Sequence, residues 1–281
     1  MNTTTSKDGT TIAYERLGSG PPLVLVDGAF CRRAFGPMPD LAKLLAEHFT
    51  VFHYDRRGRG DSTDTAPYSV DREVDDLAAI VEAAGGSPNM YGISSGAALA
   101  IRAVGSGVSV KKLVVYEPPF ALDGTHTPTP ADFREQIAAS IAAGRRDDAV
   151  KLFMKVVGVP AFGIFFMRLM PNVWPKLRAV AHTLPYDFAL LGETQSGGPL
   201  PDELREKLVA IRVPTLALAG GKSPEWMHHA SKTVAQTVQS GTFQVVPGQD
   251  HNAAAKAMAP FLRTFFGTVA TSSDVASQVS A

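Results

Sequence analysis

Short apolar runs alternate with stretches in which apolar residues recur every three or four positions over most of the chain. Leu23-Val-Leu-Val26 reads as a fully buried strand, Met38 to His48 as a helix, and Thr50 to Tyr54 as a second strand. Val70 to Ala84 carries helical spacing at Val74, Leu77, Ile80 and Val81. Asn89 to Tyr91 is a short strand before a glycine turn, Ala97 to Val104 a helix, and Lys112 to Tyr116 a strand ended by Pro118 and Pro119. The rhythm resumes with a strand at Val213 to Ala219 and a helix at Pro224 to Val238. A strand at Thr242 to Val246 and a helix at Ala253 to Phe266 follow. Strands separated by helices predict βαβ units, hence an α/β fold with a mostly parallel central sheet.

Between Phe120 and Ile211 the alternation stops. This stretch is mostly helical in pattern, rich in Phe and Met, and cut by Pro160, Pro171, Pro175 and Pro185. It divides the chain into a core of residues 1–119 and 212–267 and a helical insertion of residues 120–211. Residues 268–281 are small and polar and are expected to be a disordered tail. The most apolar segment, Val156 to Met170, is too short to span a bilayer and is interrupted by Pro160 and Arg168, so it reads as a buried or covering helix.

Charge excludes two partner classes. Lys plus Arg and Asp plus Glu both number 27, so the formal net charge is zero. A balanced chain has no general attraction for nucleic acid or anionic lipid, which leaves a small molecule as the expected partner, alone or to a homodimer. The N-terminal stretch lacks a charged segment followed by an apolar run, so no secretory signal is expected. Cys31 is the only cysteine, which fits a reducing, cytoplasmic location.

The sharpest chemical signal is Gly92-Ile93-Ser94-Ser95-Gly96, between a strand and a helix. That context suits a nucleophile elbow: a tight turn exposes the serine hydroxyl at a helix N-terminus, where N–H groups favour developing negative charge. Read blandly, the segment is a Gly/Ser turn without chemistry. With this motif in its context, the chain resembles the α/β-hydrolase superfamily over roughly Thr11 to Phe266, and Tyr54-Asp-Arg-Arg-Gly-Arg-Gly-Asp-Ser62 resembles that family's structural strand-to-loop motif. The resemblance implies a serine hydrolase with a helical cap, no cofactor and no metal. It also implies His251, after the last strand, as the base for Ser94, in the chain order Ser, acid, His. His48, His53, His126, His182, His228 and His229 carry no such positional support.

The acid departs from the common pattern. Where many relatives carry an Asp, after Ala219, this chain has Ser223. Some relatives place the acid one strand earlier, which here gives Glu117, ahead of Glu225 and Asp250. The resemblance assigns the oxyanion-binding amides to Ala29 and Ser95. It also exposes a second departure, because Asp27 stands where the family usually shows His. An ionised Asp27 aimed at the oxyanion from ~7 Å would oppose it by roughly 2 kcal/mol at an effective dielectric of ~20, so its side chain is expected to turn away, toward Arg32, Arg33 or an arginine of the Asp55–Asp61 segment.

Phe30 and, from the insertion, Phe162, Phe166, Met167, Trp174 and Phe188 are candidates for an apolar substrate pocket, against the alternative that they only pack the cap onto the core. Gly221-Lys222-Ser223 fails as a phosphate loop, since Leu216 occupies the required earlier glycine position, and Glu225 with His229 lacks a third metal ligand. The functions in view are ester, thioester or lactone hydrolysis through an acyl-enzyme, a cofactor-free lyase or C–C bond hydrolase, and a ligand-binding protein of little activity.

Overall fold

The computed structural model describes residues 1–122, 124, 126, 129–130 and 132–267; the predicted tail lies outside them. The chain runs β1 (Asn2–Thr5), β2 (Thr11–Leu17), β3 (Pro22–Val26), α1 (Met38–Leu45), β4 (Thr50–Tyr54), α2 (Val70–Ala83), β5 (Asn89–Ile93), α3 (Ser95–Gly105) and β6 (Leu113–Tyr116). Then come α4 (Phe133–Ala142), α5 (Arg146–Val156), α6 (Ala161–Leu169), α7 (Trp174–Val180), α8 (Leu184–Leu191) and α9 (Asp202–Ala210). β7 (Thr215–Gly220), α10 (Glu225–Thr237), β8 (Gly241–Val246) and α11 (Ala255–Phe266) complete it.

The eight strands form one sheet in the order β1-β2-β4-β3-β5-β6-β7-β8. β1 and β2 are antiparallel to their neighbours; every pairing from β4 through β8 is parallel. The apolar runs without alternation are the strands covered on both faces. Val24 and Val26 join one buried cluster while Leu23 and Leu25 join the other. α1 and α11 pack together over the second face. α3, buried along nearly its whole length, lies on the first face against α2, α8 and α9.

The α/β reading holds, and element boundaries shift by a few residues. β1 and β2 have no counterpart in the sequence reading, because β1 is a mostly exposed run of Asn and Thr at the sheet edge. Val156 to Met170 differs more. A break at residues 157–160 splits it, and α6 exposes Phe162, Phe165, Phe166 and Leu169 while burying only Ile164. Of the two readings, the buried helix fails on this exposure. Among the described residues, no helix is long and apolar enough to cross a membrane.

Candidate active site

Three strands of the sheet end in strained turns, and the strain is concentrated there. Among the described residues, only three that are not glycine have positive φ: Phe30 (61°), Ser94 (57°) and Glu117 (45°). They follow β3, β5 and β6, neighbours at the centre of the sheet. Such conformations cost of order 1–3 kcal/mol each and persist only where surrounding contacts dictate them.

Those contacts are visible at the elbow. The Ser94 N–H donates to the Tyr116 carbonyl at 2.9 Å, anchoring the turn to β6. A Cβ on Gly92 would sit 2.6 Å from the Gly96 carbonyl oxygen, and one on Gly96 would sit 2.3 Å from that of Val26. Both flanking glycines are therefore required by close backbone approach. The loop after β3 also presses on the serine, since a Cβ on Gly28 would lie 3.0 Å from Ser94 Cβ.

Ser94, His251 and Glu117 come together across the sheet. His251 Nε2 lies 3.1 Å from Ser94 Oγ, and Nδ1 lies 2.7 Å from Glu117 Oε2. Glu117 is fully buried, and its Oε1 accepts the Gly220 N–H at 2.7 Å. The loop bearing His251 is tied down by Tyr116, whose hydroxyl donates to the Asp250 carbonyl. The histidine side chain is one-third exposed, so the serine–histidine pair is reachable from solvent while the acid is sealed beneath it. The other acid candidates lie elsewhere in the bonding pattern. Asp250 Oδ1 accepts the Asn252 N–H, and Glu225 is exposed near Lys232.

Asp27 differs from the expectation. It is buried, and its Oδ2 lies 2.7 Å from His53 Nε2; its partner is neither Arg32, Arg33 nor an arginine of the Asp55–Asp61 segment. The register explains this. β3 and β4 pair Leu25 with His53, and a residue two beyond Leu25 faces the same way. Burial pushes the Asp27 carboxyl up, against the pull of His53, Arg59 and Arg56. Arg33 and the arginines of residues 55–61 have other carboxylate partners, Arg59 bonding Asp187. Arg33 bonds Asp55 and Asp61, Arg57 grips Asp76 through two bonds, and Arg56 bonds Glu73.

A carboxylate that sequence reasoning missed completes the surroundings. Asp187, buried on α8, accepts from both Nη2 contacts of Arg59 at 2.8 Å, from Arg56 Nη1 at 2.8 Å and from Ser95 Oγ at 2.7 Å. Burial alone would raise its pKa, yet the Arg59 and Arg56 guanidiniums and the Ser95 hydroxyl hold it below the ordinary 3.8. A carboxyl lowered in the folded state contributes stability above its unfolded value, lost as pH falls through the lowered one. Thermal melting of wild type and Asp187→Asn is therefore expected to show a gap that is constant above about pH 5 and narrows as the pH falls from there to 3. A gap of constant size throughout would contradict the pairing.

The aromatic candidates separate into two groups. Phe30 and Phe188 are buried and meet through Phe153, at ring distances of 4.9 and 6.0 Å. Met167 packs partly buried against the same cluster. Trp174 is buried, with its indole N–H donating to Asp147. Phe162 and Phe166 are 70% and 61% exposed, on the face of α6 opposite the buried Ile164. Two surface clefts, one beside Arg102 and Glu203 and one beside Arg33 and His182, contain neither Ser94 nor His251. Among the described residues, no group of three His, Cys, Asp or Glu is placed to hold a metal ion.

A mostly parallel sheet with a serine on a strand–turn–helix elbow and a histidine after the last strand defines the α/β-hydrolase class. Residues 18–263 match the alpha/beta hydrolase family model, and the chain belongs to that family and is a hydrolase. It is similar to an alpha/beta hydrolase from Sphaerobacter thermophilus DSM 20745, with 46% identity, a TM-score of 0.87, and coverage of 95% of this chain and 100% of that one. A hydrolase from Pseudomonas aeruginosa PA01 shares the fold at 22% identity and TM-score 0.71, over 95% of this chain and 98% of its own. An esterase from Rhodococcus sp. ECU1013 does so at 20% identity and TM-score 0.65, over 96% and 99%.

Proposed function

We propose that the chain is a carboxylesterase-like serine hydrolase that cleaves an ester, thioester or lactone of a small apolar molecule through an acyl-enzyme. The observation that carries this reading is the continuous contact from Ser94 Oγ through the His251 ring to Glu117, at 3.1 and 2.7 Å. Ser94 attacks the carbonyl carbon and its proton passes to His251 Nε2. Glu117 accepts from Nδ1–H, holding the productive tautomer and stabilising the imidazolium. The amides of Ala29 and Ser95 bind the oxyanion; the latter, first in α3, lies outside the intrahelical ladder. The intermediate collapses, and the leaving oxygen or sulfur takes the proton from His251. Water then attacks the acyl carbon and gives a proton to His251; as the second intermediate collapses, His251 passes that proton to Ser94 Oγ, which leaves as the hydroxyl and releases the acid.

Residues 120–211 act as a cap over this centre. Phe30, Phe153, Phe188 and Met167 offer apolar and aromatic surface to the substrate. Asp27 serves structure and not chemistry, because it is buried against His53, which leaves the lyase and C–C hydrolase readings without a carboxylate to act on substrate.

The reading is tested with p-nitrophenyl acetate, butyrate and octanoate, beside a lactone and a thioester. Turnover of at least one is expected, with release of nitrophenol equal to the enzyme concentration before the steady state whenever deacylation is slower. An enzyme inert toward all of them would contradict it.

A further inference from the structure

Asp187 belongs to neither the elbow nor the serine–histidine–glutamate chain, yet both amide donors of the proposed oxyanion site trace back to it. The first link is direct: Ser95 Oγ donates to Asp187 Oδ1 at 2.7 Å. The second runs through Arg59. Asp187 takes two bonds from Arg59 Nη2, and the Thr183 hydroxyl takes one from Nε, so the guanidinium is gripped at both ends by residues 183–187. Its remaining Nη1 donates to the Gly28 carbonyl at 2.7 Å. The Gly28–Ala29 peptide is trans, so its carbonyl and the Ala29 N–H point in opposite directions. A bond that fixes one fixes the other, in a loop lying against Ser94. Arg56 adds a third tie, with Nη1 shared among Asp187 Oδ1, Ser95 Oγ and the Asp27 carbonyl at 2.8, 3.2 and 3.3 Å.

Charge makes the arrangement workable. Arg56 and Arg59 are balanced by Asp187 and Glu73, so these four groups together carry no formal net charge. All four side chains are buried, and such a group tolerates little displacement, because any lost bond leaves an uncompensated buried charge.

We propose that Asp187 is a positioning residue for hydrolysis: from α8 it sets the Ser95 and Ala29 amides in register, so that the inserted helices complete the oxyanion site of the core. This rests on the reading of Ala29 and Ser95 as oxyanion donors. A carboxylate that merely fastens α8 to the core would support stability alone. A positioning carboxylate also governs kcat, because a misplacement of about 1 Å in a preorganised site can cost on the order of a hundredfold.

The test uses p-nitrophenyl butyrate and enzyme whose reactive serine is counted with a fluorophosphonate. Asp187→Asn, which keeps the size and removes the charge, is expected to lower kcat per labelled site by about 10- to 100-fold, with KM within about threefold. Asp76→Asn is the control. It breaks an equally buried pair, with Arg57, that touches neither loop, and should lower the melting temperature while leaving kcat per labelled site within twofold. Ser95→Ala removes only the hydroxyl link and keeps the amide. It is expected to lower kcat threefold or more, and it decides the matter if Asp187→Asn does not fold. An unchanged kcat in a folded Asp187→Asn, an unchanged kcat in Ser95→Ala, or an equal loss in Asp76→Asn would overturn the proposal and leave the serine hydrolase reading intact. A wild type that is neither labelled nor active would overturn both.

Discussion

Replacing Ser94 with alanine is expected to lower kcat for ester hydrolysis by about a millionfold, with the fold unchanged. The size follows from the chemistry. Without Oγ there is no group to form the acyl-enzyme, and His251 has no proton to accept. What persists is binding and oxyanion stabilisation, worth roughly 10³–10⁴ over the reaction in water. The melting temperature should move little. Ser94 makes no side-chain capping bond at the start of α3, and its positive φ is imposed by the backbone around it, which alanine meets at the same cost as serine. Steady-state kinetics and a thermal melt on the same preparation check both halves. A variant retaining more than a hundredth of wild-type kcat would remove Ser94 from the mechanism.

Glu117→Gln should come next, with a loss in kcat of about 10⁴-fold. The reason lies in the second oxygen of the carboxylate. Oε1 accepts the buried Gly220 N–H, and only the carbonyl oxygen of a glutamine could replace it there. The amide nitrogen is then forced toward His251 Nδ1, where it donates. That selects the tautomer with the proton on Nε2, facing Ser94, which cannot act as a base. KM for p-nitrophenyl butyrate should change little, since the substituted side chain is sealed below the site. A loss under tenfold would mean that Glu117 only packs β6 against β7.

Much of this was legible in the sequence because the signals were local. Residues Leu23–Val26 read as a buried strand since both its faces are covered, so no polar alternation interrupts it. Ser94 could be placed because backbone crowding demands glycine at 92 and 96. His251 and Glu117 could be placed only by position after their strands, on the strength of the resemblance.

What stayed hidden depends on long-range pairing. The partner of Asp27 is set by the alignment of β3 with β4, which no composition reveals until the strand order is known. Asp187 meets residues more than ninety positions away, and as a single acid in the apolar helix Leu184–Leu191 its one signal was being out of place there. A charged residue on an otherwise apolar helix, in a chain holding several arginines in one short loop, is the pattern that could have found it. Phe162 and Phe166 were read as pocket residues from their chemistry; both side chains are largely exposed on α6.

The central claim is that Ser94 is an activated nucleophile, and covalent labelling measures that most directly. After incubation with a fluorophosphonate, intact-mass analysis should show one adduct per wild-type chain, and peptide mapping should place it on Ser94. Ser94→Ala should gain no mass, and Glu117→Gln should react far more slowly. A wild type that stays unmodified, or an adduct that persists in Ser94→Ala, would contradict the account.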